Sequence, residues 1–281
     1  MSYQEFRTSR FQLLPPVIKN LIIINAILFF ASIVLKSSFG IDLTDILGLH
    51  YYESNAFRPY QFVTYMFMHG GIGHIFFNML ALWMFGNALE NVWGTKRFLI
   101  FYFVTGIGAA LVYMAYQWFS FNEVNAAVSV YVSSPSVIAF GDLIHKQFPM
   151  VANSNEITNF ISEWSNQSGS ENYFVEQSYS YIRQLMEMAK DNVTVGASGS
   201  VYGVLLGFGM LFPNTIIYMI FPFPFPIKAK YLVLIYGGLE VYLTLANNPE
   251  DNIAHLAHLG GMLFGFILIK LWNKRNREFF Y

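Results

Sequence analysis

The sequence predicts an all-α membrane protein with six transmembrane helices, and its composition is the first reason. Of the 281 residues, 55% are hydrophobic and only 12% are charged, whereas about a quarter of the residues in a soluble domain are charged. The second reason is six apolar segments that approach the roughly 20 residues a helix needs to cross a bilayer. None alternates as the strands of a membrane β-barrel do, so each is predicted to be helical. The segments are residues 20–36, 73–93, 98–119, 196–212, 229–246 and 253–272.

The distribution of lysine and arginine predicts how these helices cross the membrane. With the N-terminus in the cytoplasm, 11 of the 16 basic residues fall in cytoplasmic tails and loops, in agreement with the positive-inside rule. We therefore predict cytoplasmic tails at residues 1–16 and 273–281, and between them a membrane domain at 17–272 in contact with the lipid bilayer. Because the N-terminal region lacks a transit peptide, we expect this membrane to be a bacterial plasma membrane.

A polar segment, residues 120–193, separates the third and fourth predicted helices. It is rich in Asn, Ser and Glu and is too long for a simple connection. The predicted topology places this insertion outside the cytoplasm. Two interpretations are open at this point, a small folded cap and a mobile loop.

Several classes of site are excluded or disfavoured by composition. The chain contains no cysteine, which excludes disulfides, thiol nucleophiles and cysteine-ligated metals. The net charge is −1 and no basic stripe is present, so no nucleic-acid partner is expected. We expect no cofactor and no metal.

Polar residues inside the apolar segments are the strongest functional signal. His74 and Asn78 lie four residues apart and therefore share one face of the second predicted helix. Ser198 lies near the start of the fourth helix, and His255 and His258 lie near the start of the sixth. All three helices are predicted to run inward, so these side chains share one depth near the outer surface. Such groups are costly in lipid and usually mark function.

Glycine spacing explains how these groups could meet. Small residues at every fourth position allow helix backbones to approach closely in a membrane. Ser198 adjoins one such stripe and His258 lies one turn before another, so contact between the stripes would bring the hydroxyl to the imidazole. The stripes are Gly199, Gly203 and Gly207 on the fourth helix, and Gly261 and Gly265 on the sixth.

This set of side chains matches the needs of acyl transfer. A serine hydroxyl needs a base to take its proton, and His258 can act as that base for Ser198. The oxyanion formed by attack needs donors, which His74, the Asn78 amide and the Ser198 backbone N–H could supply. Tyr202, one turn after Ser198, can stack on the His258 ring. No Asp or Glu lies near this level in the second, fourth or sixth helix, so the sequence predicts a dyad and not a triad.

With these motifs the chain resembles the rhomboid family of intramembrane serine proteases. The resemblance covers about residues 17–272 without the insertion, and its motifs fall in the family's order on the second, fourth and sixth helices. The matching motifs are His69…His74-x-x-x-Asn78, Gly196-x-Ser198-Gly-x-x-Tyr202-Gly203 and His258-x-x-Gly261-x-x-x-Gly265.

The resemblance implies a fold, a reaction and roles for these residues. It implies a six-helix rhomboid-like bundle in which Ser198 is the nucleophile and His258 the general base. His74, Asn78 and the Ser198 amide would form the oxyanion hole. Supporting roles fall to Tyr202, Gly196, Gly199, Gly261 and Gly265. Substrates would be single-span membrane proteins, cut at a small residue near the outer face, in a site open to the outer side.

Two departures from the family pattern stand out. Many members carry Trp-Arg in the first outer loop, where this chain has Tyr60-Gln61, which puts the usual anchoring of that loop in doubt. The insertion at 120–193 is the second departure, and the family pattern does not give its role.

Alternative interpretations concern the histidines and the activity. His69 is interpreted as a structural residue that hydrogen-bonds backbone in the outer loop, and His255 competes with His258 as the base. His69, His74, His255 and His258 could instead form a metal site of a carrier. That reading is disfavoured because no carboxylate or Cys was found at this level. A catalytically inactive relative that binds membrane clients is a further alternative.

Overall fold

A computed structural model describes residues 12–167, 171–219, 225–246 and 254–278. Helices dominate it, and the only strands in the described ranges are β1 (Ile216–Met219) and β2 (Phe225–Lys228), an antiparallel pair. The helices are α1 (Pro16–Phe39), α2 (Leu43–Leu47), α3 (Gln61–Thr64), α4 (Ile72–Ala81), α5 (Asn87–Trp93), α6 (Thr95–Ser133), α7 (Val137–Gln147), α8 (Pro149–Ala152), α9 (Asn155–Asn166), α10 (Glu171–Lys190), α11 (Ser198–Leu211), α12 (Ala229–Ala246) and α13 (His255–Glu278).

The predicted all-α membrane bundle is confirmed. Within the described residues, five helical segments are long and apolar enough to cross a membrane. One of them is a composite, because a π-helical turn at Leu82–Gly86 joins α4 to α5 without a break. The five segments are Pro16–Phe39, Ile72–Trp93, Thr95–Ser133, Ala229–Ala246 and His255–Asn273.

The predicted fourth span is shorter than the sequence suggested. Helix α11 has only 14 residues, about 21 Å at 1.5 Å per residue, against roughly 30 Å for the hydrocarbon core. It begins at Ser198, shortly after Thr194 pairs with Leu49 in an isolated β-bridge and the chain turns at Gly196. Length therefore does not establish the count of six spans. Most of α11 is buried, between α6 and α13, and it forms the centre of the bundle.

Glycines bring α11, α13 and α6 into close backbone contact. A Cβ added at Gly261 would overlap the carbonyl oxygen of Gly199. A Cβ added at Gly203 would lie 2.7 Å from the Thr105 side chain and 3.0 Å from the Gly261 carbonyl oxygen. No side chain fits between α11 and α13 at this crossing, so the two helices are locked in register.

The polar insertion is helical, and its first boundary differs from the prediction. Helix α6 continues past residue 119 to Ser133. Its last turns are therefore formed by residues that the sequence analysis assigned to the insertion. Helices α7 to α10 then pack around a second apolar core, separate from that of the bundle. Trp164 and Phe174 stack in it, with ring centroids 6.0 Å apart. The described part of the insertion thus has the core that a folded cap requires, while its side of the membrane stays a prediction.

The end of the insertion is fastened to the loop between α1 and α4, which the predicted topology places outside the membrane and which is called the first outer loop below. The Ser54 hydroxyl donates to an Asp191 carboxylate oxygen at 2.6 Å, and Lys190 lies 3.4 Å from Glu53. These contacts fix the backbone that leads from α10 to Ser198.

The start of α1 is held by a buried carboxylate from α5. The N-cap position, Pro15, has no side chain able to cap the helix. Glu90 takes that role, since its two oxygens accept the backbone N–H groups of Val17 and Ile18, each at 3.0 Å. A carboxylate at a helix N-terminus satisfies free N–H groups and interacts favourably with the helix dipole.

We predict that Glu90→Ala destabilises the protein by about 2–3 kcal/mol, because two buried N–H groups lose their acceptor. Glu90→Gln, which keeps one carbonyl acceptor, should fall between it and wild type. Chemical unfolding in detergent measures both. Glu123→Ala, at an exposed position of α6, is the control and should stay within about 0.5 kcal/mol. An equal loss in all variants would contradict the capping role.

We also predict that Gly261→Ala lowers the thermal midpoint, because the added methyl must separate α13 from the α11 backbone. Overpacking of this kind costs about 1–3 kcal/mol. Gly238→Ala on α12 is the matched control, since nothing lies within 4 Å of its added Cβ. Alanine favours helix over glycine, so the control should be neutral or slightly stabilised. Equal midpoints for the two variants would argue against a close helix contact at Gly261.

Candidate active site

Ser198 is the first residue of α11 and is held there by its neighbours on both sides. Gly196, two residues earlier, has φ +126°, a conformation that glycine adopts readily and other residues rarely do. Its N–H donates to the Tyr65 carbonyl oxygen at 2.9 Å. The N–H groups of the first helical turn have no partner inside the helix, so the Ser198 amide is a potential donor. The Ser198 side chain is only half-buried.

The structure brings His258 of α13 directly to Ser198. The Nε2 atom of His258 lies 2.8 Å from the Ser198 Oγ, a hydrogen-bond distance. The Tyr202 ring lies parallel to the imidazole at 7°, with centroids 4.2 Å apart, so it restrains the orientation of the ring. The glycine contact between α11 and α13 sets this pairing.

His74 of α4 lies on the other side of Gly196. A Cβ built on Gly196 would be 2.7 Å from His74 Nε2 and 3.6 Å from Ser198 Oγ, so both atoms border the same small space. The Gly70 N–H donates to His74 Nδ1 at 3.4 Å. If Nδ1 is an acceptor, the neutral ring carries its proton on Nε2, the nitrogen that faces this space.

Asn78 is buried one turn further along α4. Its Nδ2 donates to the His74 carbonyl oxygen at 2.9 Å, so one amide hydrogen is bound to its own helix. The second amide hydrogen is the one that could serve an oxyanion.

A carboxylate, missed by the sequence analysis, lies beside the histidines. Glu240 of α12 is buried, and its Oε1 accepts the hydroxyl hydrogen of Tyr202. Its Oε2 lies 2.6 Å from His255 Nδ1 and 3.1 Å from His258 Nδ1. The sequence predicted a dyad without a carboxylate because Glu240 belongs to the fifth predicted span, whereas Ser198 and the histidines belong to the second, fourth and sixth. The available signal was a single Glu within an apolar span, which by itself marks a functional candidate.

The metal interpretation is affected by the same residue. Glu240, His255 and His258 each offer a ligand atom within 4.8 Å of the others, so the argument that no carboxylate shares this level was wrong. The oxygen-to-nitrogen distances of 2.6 and 3.1 Å are nevertheless those of direct polar contacts. Ligands of a tetrahedral zinc, with bonds of about 2.0 Å, stand about 3.3 Å apart. The three groups would have to separate before they could hold an ion.

The other two histidines take different positions. His255 bonds Glu240, and its ring centroid lies 6.2 Å from that of His258, which leaves His258 as the imidazole on Ser198. His69 packs edge-on against His74 with centroids 5.1 Å apart. Neither His69 ring nitrogen has a partner of good hydrogen-bond geometry, but the ring interacts with the backbone of Phe67, so the backbone contact predicted for it is at most a weak one. Burial, and secondarily His74, lowers the pKa of His69 to about 4.

The Tyr60-Gln61 departure has a structural explanation. The Gln61 side chain is buried and bonds four backbone groups of the first outer loop. Its Oε1 accepts the N–H groups of His50 and Arg58, and its Nε2 donates to the carbonyls of Ile46 and Ala56. A neutral amide therefore anchors this loop at the position where the sequence analysis had put the anchoring in doubt.

These features together define an integral membrane protein with a serine–histidine pair among its helices. The family model for the Rhomboid domain matches residues 56–165 and 170–275, and the chain belongs to this family. The chain is 21% identical to the rhomboid protease AarA of Providencia stuartii over 252 residues. This aligned region covers 88% of this chain and 69% of AarA. The chain is also 40% identical to the rhomboid protease GluP of Bacillus subtilis over 52 residues. This aligned region covers 18% of this chain and only 10% of GluP.

We predict that Gly196→Ala slows fluorophosphonate labelling of Ser198 about 100- to 1,000-fold, in the range for loss of an oxyanion donor. The added methyl strains the backbone and displaces His74. Gly73→Ala, with nothing within 4 Å of its Cβ, is the control on α4 and should label at the wild-type rate. Rates that match for the two variants would show that His74 need not lie beside Gly196.

Proposed function

We propose that this protein is an intramembrane serine endopeptidase that uses Ser198 as nucleophile and His258 as general base. The observation that carries the proposal is the 2.8 Å contact between Ser198 Oγ and His258 Nε2. Both residues lie at the outer ends of membrane-associated helices, where an isolated polar pair would be costly without a function. Membership of the rhomboid family and the two relatives named as rhomboid proteases support the same activity.

The first half of the reaction forms an acyl-enzyme. The Ser198 Oγ attacks the scissile carbonyl carbon while its proton passes to His258 Nε2. The electron pair of the carbonyl moves onto its oxygen. When the tetrahedral intermediate collapses, the C–N bond breaks and the imidazolium gives its proton to the leaving amine. The carboxy-terminal fragment, which now begins with a free amine, can then depart, while the amino-terminal fragment stays bound to Ser198 as an ester.

The oxyanion of this intermediate would be stabilised by donors around Gly196. His74 Nε2, the second amide hydrogen of Asn78 and the backbone N–H of Ser198 fit the role. Each such donor contributes about 2.7–4 kcal/mol to lowering the barrier in comparable sites. The α11 N-terminus adds the positive end of its dipole at the same place.

The second half of the reaction needs water. His258 removes a proton from a water molecule as it attacks the ester carbonyl, and the proton then returns to Ser198 Oγ as the acyl bond breaks. The half-exposure of Ser198 is consistent with access from the outer side. The shortness of α11 supports the same view, because its first residue then lies below the membrane surface and next to the outer loop.

Proposed substrates are membrane proteins with a single transmembrane helix. An intact helix keeps its carbonyls in hydrogen bonds, so cleavage requires local unwinding. We propose cutting near the outer face, at a small residue that fits the narrow space beside Gly196. We propose a bacterial plasma membrane with both termini cytoplasmic, supported by the distribution of basic residues.

The proposal predicts that wild-type protein in liposomes cleaves a single-span test protein whose helix is weakened by glycine near its outer end. Ser198→Ala and His258→Ala should each lose cleavage by at least 1,000-fold, as expected for members of a catalytic unit. Ser200→Ala is the control on the same helix. Its hydroxyl donates to the Tyr102 carbonyl at 2.8 Å, away from the site, so it should retain cleavage.

Gel analysis and N-terminal sequencing of the fragment measure the outcome. Cleavage that survives in Ser198→Ala would contradict the proposed nucleophile. A folded wild type that binds the test protein without cutting it would favour an inactive, client-binding relative.

A further inference from the structure

The C-terminal half of α12 carries one buried acid, Glu240, among residues that are mostly exposed and apolar. From Gly237 to its end at Ala246, Glu240 is the one buried residue in the described part of this helix. Its neighbours Leu239, Val241 and Leu245 are among the exposed large hydrophobic side chains. A carboxylate is expensive at this depth, so its presence at the one buried position of this half calls for a specific role.

The carboxylate is surrounded by donors from two other helices. Tyr202 of α11 donates its hydroxyl to Oε1, and His255 of α13 lies 2.6 Å from Oε2. The third neighbour is His258, whose Nδ1 lies 3.1 Å from the same Oε2. This contact has the distance of a hydrogen bond but not its angle, and Nδ1 of His258 has no other partner.

We propose that Glu240 is a positioning residue for the reaction: it holds the proton of His258 on Nδ1 and stabilises the imidazolium formed when Ser198 attacks. The inference rests on the proposed protease function and adds a third member to the Ser198–His258 pair.

The two nitrogens of the His258 ring need different protonation states. Nε2 must present a lone pair to accept the Ser198 proton, so in the neutral ring the proton must sit on Nδ1. In the opposite tautomer, the Nδ1 lone pair would face the Glu240 oxygen at 3.1 Å, which is repulsive. Glu240 therefore favours the reactive form.

Glu240 also stabilises the positive charge that forms on His258 when Ser198 attacks. When the Ser198 proton moves to Nε2, the ring becomes a cation beside a carboxylate that is already in place. Attraction between unit charges at this separation is strong where water is largely excluded. The cation strengthens the Nδ1–H donor, and a small rotation of the ring would bring that N–H onto Oε2. The proton on Nδ1 stays on the ring throughout.

Tyr202 contacts both the imidazole and the carboxylate. Its ring stacks on His258 and its hydroxyl binds Glu240, so one side chain fixes both the imidazole and the carboxylate. The other titratable groups facing His258 in the described structure are His255 on its own helix and His74 on α4. Both are imidazoles and cannot replace a negative charge.

The test is the second-order rate of fluorophosphonate labelling as a function of pH, in purified wild type, Glu240→Gln and Glu240→Asp. Labelling is one covalent step at Ser198 and needs no known substrate. We expect Glu240→Gln to label about 10- to 100-fold more slowly at its plateau. Loss of the carboxylate makes the imidazolium harder to form, so the acid side of the pH–rate profile, its acid limb, should move to lower pH.

Glu240→Asp keeps the charge but withdraws it by one methylene. It should label several-fold faster than Glu240→Gln, with an acid limb closer to that of wild type. Glu90→Gln is the matched control, since it neutralises another buried carboxylate far from Ser198. It should lower stability yet leave the labelling profile of the folded protein unchanged.

A labelling rate and an acid limb that are unchanged in Glu240→Gln would overturn the inference. So would a rate that falls without movement of the limb and without rescue by Asp, which is the pattern of a merely structural residue. If Glu240→Gln does not fold, Glu240→Asn takes its place and is compared with Glu240→Asp, which has the same size but keeps the charge. Equal labelling rates and acid limbs per folded molecule in these two variants would overturn the proposal.

Failure of the proposed function gives a different result. In that case wild type itself would not label, or labelling would persist in Ser198→Ala, whatever residue stands at 240. Addition of zinc to wild type and to Glu240→Gln, with labelling as the measurement, distinguishes a metal site from a positioning role for Glu240. Inhibition of wild type by micromolar zinc that is lost in Glu240→Gln would show that the cluster can open to bind an ion and would count against a purely positioning role.

Discussion

The contact between α11 and α13 at Gly199 and Gly261 is the constraint on which the rest of the site depends. Two backbones meet there with no room for a methyl group, and this closeness is available in lipid only to small residues. Ser198 and His258 each lie within a turn of the crossing. Their 2.8 Å contact is therefore set by the packing of two helices and not by a flexible loop.

Around this crossing, polar groups satisfy one another instead of water. Glu240 brings α12 into the network through Tyr202 and His255, and Glu90 does the same for α1 at the other end of the bundle. Few of the buried polar atoms at the site are left unpaired, and the exceptions are informative. They are Nδ1 of His258, which faces a carboxylate, and both ring nitrogens of His69, which borders His74. A site built this way is rigid around the nucleophile while Ser198 itself stays partly accessible.

The sequence predicted the pairing of Ser198 with His258 because helix period and glycine spacing act within single helices and can be read directly. It also predicted that Tyr202 can stack on the His258 ring. Glu240 was missed because its partners lie on two other helices, and no spacing within α12 indicates which way its side chain points. The length of α6 and the late start of α11 were missed for a similar reason. Hydropathy marks the part of a helix that suits lipid, whereas tertiary contacts such as the pairing of Leu49 with Thr194 decide where the helix ends.

The most direct measurement is the site of covalent attachment after wild-type protein in detergent is treated with a fluorophosphonate. Mass spectrometry of peptides locates the adduct among all the serines of the chain. The account predicts one adduct, on Ser198, that is absent when His258 is replaced by alanine. An adduct on another serine, or a folded wild type that takes up none, would contradict the claim that the α11–α13 contact assembles an activated nucleophile.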